Sequence, residues 1–169
     1  MKRYMLLLCC AWMAVVAAEG QTLAQDDSTR IIGQALPPLV LLRLDSTEAR
    51  LGSLRKANQP LVVLYFSPTC SHCQQQTEEI TANMGLLKSV NFLLVSAYPL
   101  ADLRSFEASY GIARFQNMAL AHDPTAKLAV FYGLKALPGI FVYNKNGLLV
   151  QKFKTNATAA QIAAAAVAD

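Results

Sequence analysis

The sequence predicts an α/β domain: a central mixed β-sheet flanked by helices, with an N-terminal β-hairpin extension. Three observations carry this expectation. Leu61 to Phe66 (LVVLYF) is an unbroken β-rich run of the kind buried on both faces of a sheet. A helix-spaced segment follows it, and a second apolar run with a second helix repeats the alternation. Near the end, two strand-like runs flank Asn144-Lys145-Asn146-Gly147, whose Asn-Gly pair is a strong hairpin turn.

The elements follow in order. Pro37-Pro38 opens an extended stretch, Leu39 to Leu44 is nearly all apolar, and Asp45-Ser46 reads as a turn before a short strand from Thr47 to Leu51. After the central run, Ser67-Pro68-Thr69 interrupts, and residues 70–88 read as one helix. There Cys73, Ile80, Met84 and Leu87 share a face, and Gln74, Gln75, Glu78 and Glu79 lie mainly on the wet side. Asn91 to Ala97 is a second buried strand, followed by a helix over about 100–110. His122-Asp123-Pro124 marks a loop, in which His122 and Asp123 read as loop and cap residues. Thr125 to Tyr132 is a short helix closed by Gly133. Gly139 to Tyr143 and Leu148 to Phe153 form the hairpin, and Thr155 or Asn156 caps an Ala-rich helix running towards Val167.

Composition narrows the class. A formal net charge of +4 in 169 residues, with no basic block, gives no reason to expect nucleic-acid binding. The apolar excess is partly local: Lys2 and Arg3 precede an uncharged apolar run, Leu6 to Ala18, too short for a bilayer span of ~20 residues. A basic start, a short apolar run and then small residues describe a secretory signal, with cleavage after Gly20 or, the favoured site, after Ala24, which makes residues 1–24 the signal and Gln25 the mature start. Residues 25–32 then form a flexible lead-in, and 33–169 the domain. Cleavage would leave no stable membrane anchor. It would also remove Cys9 and Cys10, so the exported part keeps two of the four cysteines, Cys70 and Cys73.

Those two form Cys70-Ser71-His72-Cys73, a C-x-x-C between a buried strand and a helix. A helix start offers unpaired N–H groups and the positive end of the helix dipole, and both favour a thiolate at Cys70. Cys73, one turn further in, faces back to the same end and can close a disulfide with Cys70. Such a pair points to a redox dithiol. Half of a zinc site is the competing metal reading, but only His72 and His122 could join the cysteines, and His72 lies inside the motif. A purely structural bridge would close too short a loop to restrain the unfolded chain much.

The stretch LVVLYFSPTCSHC, with ALPGIFVYNKNG downstream, resembles the thioredoxin superfamily, most closely exported bacterial TlpA-like and redoxin-type thiol-disulfide oxidoreductases. The resemblance runs from about Gly33 to Val167 and implies a thioredoxin-like fold. It implies that Cys70 attacks, Cys73 resolves, and a Cys70-Cys73 disulfide is the oxidised form. Pro138 matches the family's cis-proline. Leu137 before it matches the residue whose backbone pairs with an extended substrate. His72 resembles the histidine that Dsb-type oxidases hold between their cysteines, where it would stabilise the Cys70 thiolate and make the pair more oxidising. The implied partners are protein thiols and disulfides, together with a redox partner the sequence does not identify. No metal or organic cofactor is called for, and the compartment is a bacterial periplasm or the exterior.

Departures from the family pattern accompany it. Thr69 stands where many relatives carry Trp, Leu64 where thioredoxins carry a buried Asp, and Gln76 where several TlpA-like reductants carry Glu. Either carboxylate would serve as a base for the resolving thiol. Two other functions compete with exchange. One is a non-catalytic binding module for a metal or peptide. The other is a thiol peroxidase, which Pro68-Thr69-Cys70 resembles only superficially.

Overall fold

A computed structural model describes residues 31–168. The signal assignment at 1–24 and most of the lead-in at 25–32 lie outside the described residues. Ile31, at the end of that lead-in, is buried, and the Gly33 N–H donates to the Leu149 carbonyl at 2.7 Å. The packed domain therefore already includes Ile31.

Among the described residues seven strands make one mixed sheet in the order β2-β1-β5-β4-β3-β6-β7. They are β1 (Val40–Arg43), β2 (Glu48–Arg50), β3 (Leu61–Tyr65), β4 (Asn91–Ser96), β5 (Met118–His122), β6 (Gly139–Tyr143) and β7 (Leu149–Phe153). β4 runs parallel to both β3 and β5, while β6, β7 and the β1–β2 hairpin pair antiparallel. All five residues of β3 are buried, as its apolar run requires of a central strand.

The pleat sends alternate residues of β3 to two separate cores. Val62 and Leu64 face a core shared with α1 (Ser71–Ala82), α2 (Met84–Leu87), α3 (Leu100–Tyr110) and α5 (Ala159–Ala166). Leu61, Val63 and Tyr65 face the other, closed by Ile31, the hairpin and α4 (Lys127–Phe131). In that second core Tyr132 stacks on Phe141 at 3.5 Å between ring centroids, and its hydroxyl meets that of Tyr143 at 2.8 Å.

Three local expectations are corrected. The helix over 70–88 is interrupted: the Asn83 side chain donates to the Glu79 carbonyl at 2.8 Å, ending α1 before the short α2 begins. Met118–His122 is a strand the sequence did not announce, because its MALAH text carries no β-branched or aromatic residue. It is held by pairing on both edges, with β4 and β1. The final helix is capped by Thr158, not by Thr155 or Asn156. The Thr158 hydroxyl accepts from the Gln161 N–H, and the Gln161 side chain accepts from the Thr158 N–H.

Candidate active site

The site lies at the C-terminal ends of β3 and β4, where parallel neighbours deliver their loops to one edge. β3 ends at Tyr65, and Phe66 to Thr69 turn the chain so that Cys70 becomes the N-cap of α1. Cys70 is half-buried and Cys73 fully buried, and both are free thiols.

Their surroundings push the two sulfurs apart in acidity. Partial burial raises the pKa of Cys70. Hydrogen bonds from the Cys73 thiol and from the backbone N–H groups of Cys73 and His72 outweigh that and leave it below the ordinary thiol value. These are the open donors of the α1 start. Burial pushes the Cys73 thiol up to about 12. The Ser67 backbone N–H works against this, while the hydrogen bond to Cys70 and the charge on it add to the rise.

Leu137 and Pro138 complete the mouth. The Leu137–Pro138 peptide is cis, Pro138 is buried, and the Leu137 carbonyl lies 4.0 Å from the Cys70 sulfur. Leu137 is wedged against both cores. A Cβ at Gly139 would overlap the end of the Leu134 side chain, which would have to move for any larger residue. His72 exposes its side chain, and its carbonyl accepts from Asn156 Nδ2 at 2.9 Å. What His72 gives the sulfur in this geometry is its backbone N–H.

Two features escaped the sequence. Ser67 Oγ, Thr69 Oγ1 and the Tyr98 hydroxyl form a chain with steps of 3.1 and 3.4 Å along the rim beside Cys70. Tyr98 lies just past the end of β4, and its position after a buried parallel strand was the available signal. Gln76 is the second: its amide accepts from the Ala157 N–H at 2.8 Å and donates to the Ala157 carbonyl at 2.9 Å. Glu79 likewise accepts from the Ala159 N–H at 2.8 Å. Neither side chain is turned towards the sulfurs as a base. The loop placement expected of His122 is corrected, because it is the last residue of β5 and pairs with Leu42 and Ser96. Asp123 is buried and caps α4, accepting from the Lys127 and Leu128 N–H groups at 3.1 and 2.8 Å. Among the described residues no group of three or more His, Cys, Asp and Glu side chains could hold a metal.

Comparison with known proteins agrees with this architecture. The model of the AhpC/TSA family matches residues 32–152. No curated protein sequence matches the chain significantly. Among solved structures, Mycobacterium tuberculosis DsbF superposes with a TM-score of 0.63 at 15% identity, covering 76% of this chain and 92% of that one. A secreted M. tuberculosis disulfide oxidoreductase homologous to E. coli DsbE gives 0.61 at 15% identity, covering 76% and 94%. The M. tuberculosis peroxidoxin BcpB gives 0.65 at 15% identity, covering 79% and 94%. At these identities the likeness concerns the fold, which is thioredoxin-like.

Proposed function

The chain belongs to the AhpC/TSA family and is an oxidoreductase of the thioredoxin superfamily, and from that premise we propose that Cys70 and Cys73 exchange electrons with protein thiols and disulfides outside the cytoplasm. The observation that carries this is the placement of one half-exposed sulfur on the open helix start, against the Leu137 carbonyl, with a buried second thiol one turn behind it.

The steps follow from the asymmetry. The Cys70 thiolate attacks a substrate disulfide, forming a Cys70–substrate bond and releasing the first substrate sulfur as a thiolate that takes a proton from solvent. Cys70 then carries no charge, so its contribution to the raised Cys73 pKa vanishes. Cys73 loses its proton to water and attacks Cys70, closing the Cys70-Cys73 disulfide. The second substrate thiolate leaves and is protonated. Two electrons pass to the substrate. Run backwards, the same steps oxidise a dithiol. Loss of that charge eases resolution, while burial, the larger cause of the raised Cys73 pKa, persists in a site where Gln76 and Leu64 stand in place of the family's carboxylates. Leu137 offers its backbone to an extended substrate beside Cys70, in the manner of strand addition. His72 serves the thiolate through its N–H, to which its solvent-exposed ring adds at most a small stabilisation.

Insulin reduction with dithiothreitol as electron source tests the function. Native protein should accelerate it, Cys73→Ser should accumulate a mixed disulfide, and Cys70→Ser should do neither while melting normally. Activity surviving Cys70→Ser would overturn the assignment. Export is tested separately by the mass of the mature protein, expected to begin at Gln25.

A further inference from the structure

Tyr98 stands at the rim of the site and takes no part in the exchange steps. It lies between the end of β4 and Pro99, the N-cap of α3, and its N–H donates to Ser96 Oγ at 3.2 Å. A residue before proline is itself restricted, so the loop presents this side chain from a fixed base. The side chain is 39% exposed and brings its hydroxyl to Thr69, the residue before Cys70.

The protons give the hydroxyl chain a direction. Ser67 is buried, and its Oγ already accepts from the Thr69 N–H at 3.3 Å. Among the described residues its own proton has two acceptors, Thr69 Oγ1 at 3.1 Å and the Tyr98 oxygen. Were the chain to run inwards from Tyr98, the Ser67 proton would be buried without an acceptor, which is costly. It therefore runs outwards: Ser67 and Thr69 donate, and the Tyr98 oxygen accepts. Those two donations hold the Tyr98 pKa below its ordinary 10.0, against smaller opposing effects of desolvation and of the charges on Asp102 and Cys70.

The Tyr98 proton is thus left for a partner outside the chain. The Cys70 sulfur is not that partner, since its donors are the Cys73 thiol and the Cys73 and His72 N–H groups. Tyr98 and Leu137 line one depression of about 300 Å³, together with Phe66, Ala97 and Ala136. The Leu137 carbonyl is 4.0 Å from the Cys70 sulfur, so a disulfide that reaches Cys70 along Leu137 has this depression beside it.

We propose that Tyr98 is a further catalytic residue of the exchange, whose hydroxyl donates to the substrate sulfur that Cys70 displaces. The inference rests on the thiol-disulfide function and adds the group that meets the leaving sulfur. As the Cys70–substrate bond forms, the substrate S–S bond breaks and its electron pair passes to the departing sulfur. The hydrogen bond from Tyr98 strengthens as that charge grows, and Tyr98 keeps its own proton. The released thiolate is then protonated from solvent.

The test compares two disulfides as oxidants of the reduced protein. Hydroxyethyl disulfide releases an alkyl thiolate, a poor leaving group. Dithiobis(nitrobenzoic acid) releases an aromatic thiolate, which spreads its charge over the ring and leaves readily. Initial loss of the Cys70 thiol is acid-quenched and read by mass. Tyr98→Phe should lower the alkyl rate relative to the aromatic rate by on the order of tenfold, the worth of one hydrogen bond to a charged group. The Cys70 titration should be the same in both proteins. Equal slowing with the two disulfides would reduce Tyr98 to a support of its loop and overturn the proposal, as would native rates with both. A raised Cys70 pKa in Tyr98→Phe would turn the hydroxyl towards the resting thiolate and also overturn it. Native protein that neither disulfide oxidises would instead remove the exchange function on which the proposal rests.

Discussion

The first and later turns of α1 use their polar groups in opposite ways. At the first turn, the N–H groups of His72 and Cys73 remain free for the Cys70 sulfur, and no side chain caps them. Further along, Gln76 spends both ends of its amide on Ala157, and Glu79 takes the Ala159 N–H. One end is left chemically open, and the other is closed against the start of α5. The contrast shows why the absence of a carboxylate near Cys73 is more than a missing base. Position 76 has been turned into part of the joint between two helices.

The sharpest way to break this contrast is a crossed pair of substitutions. Cys70→Ser should reduce exchange activity to background and leave the urea midpoint near that of the reduced native protein. Gln76→Ala should do the reverse. It strands a buried N–H and a buried carbonyl, at a cost of about 2–4 kcal/mol, while the surviving folded protein keeps its reactive Cys70. A Gln76→Ala protein that is stable but slow to resolve mixed disulfides would place Gln76 in the chemistry instead.

Gln76→Glu sharpens the same point through pH. A neutral carboxylic acid can still donate to the Ala157 carbonyl and accept from its N–H, so the variant should be close to native stability near pH 4. Burial raises the folded pKa of such a group above the unfolded value of ~4.3. The stability is therefore present below that value and lost as pH rises through the folded pKa. Near pH 8 the midpoint should fall clearly below that of the native protein. If Gln76→Glu instead gained stability or faster resolution at pH 8, the site would accept a base after all.

This contrast also marks how far the sequence could be read. Leu61–Tyr65, Asn91–Ser96 and Gly139–Tyr143 were visible because buried strands need apolar β-formers, and the C-x-x-C was visible because its chemistry needs that spacing. Met118–His122 was hidden because its strand state comes from two neighbours and not from its own residues. Gln76 showed as an absent glutamate, but its partner lies 81 residues away, and only the packing of α1 on the α5 start reveals it. Tyr98 was hidden for the same reason: its hydroxyl partner comes from the loop after another strand.

A smaller effect should appear in the titration of the reduced protein, followed by thiolate absorbance. One thiol should ionise below the ordinary value of 9.0 and the other at about 12. A lowered folded pKa adds stability that is present above the unfolded value and lost as pH falls through the folded one, so Cys70 favours the fold as pH rises towards 9. The raised pKa of Cys73 acts oppositely, and its contribution is lost between about 9 and 12. Cys73→Ala should raise the pKa of Cys70 by removing a hydrogen bond. Cys70→Ser should lower that of Cys73, because the neighbouring charge is gone. Two thiols ionising together near 9 would erase the asymmetry on which the order of attack depends.

The smallest expected effect concerns His72. Its N–H is part of the open helix start, whereas its ring is exposed to solvent. His72→Ala keeps the N–H and removes only the ring. Exposed charges are worth at most about 1 kcal/mol, so the equilibrium with glutathione should move towards the reducing side by no more than about fivefold. A shift well beyond that would mean that the ring lies against the thiolate in the reduced state. No shift would leave the Cys73 thiol and the uncapped backbone donors of the helix start as the sources of the low Cys70 pKa.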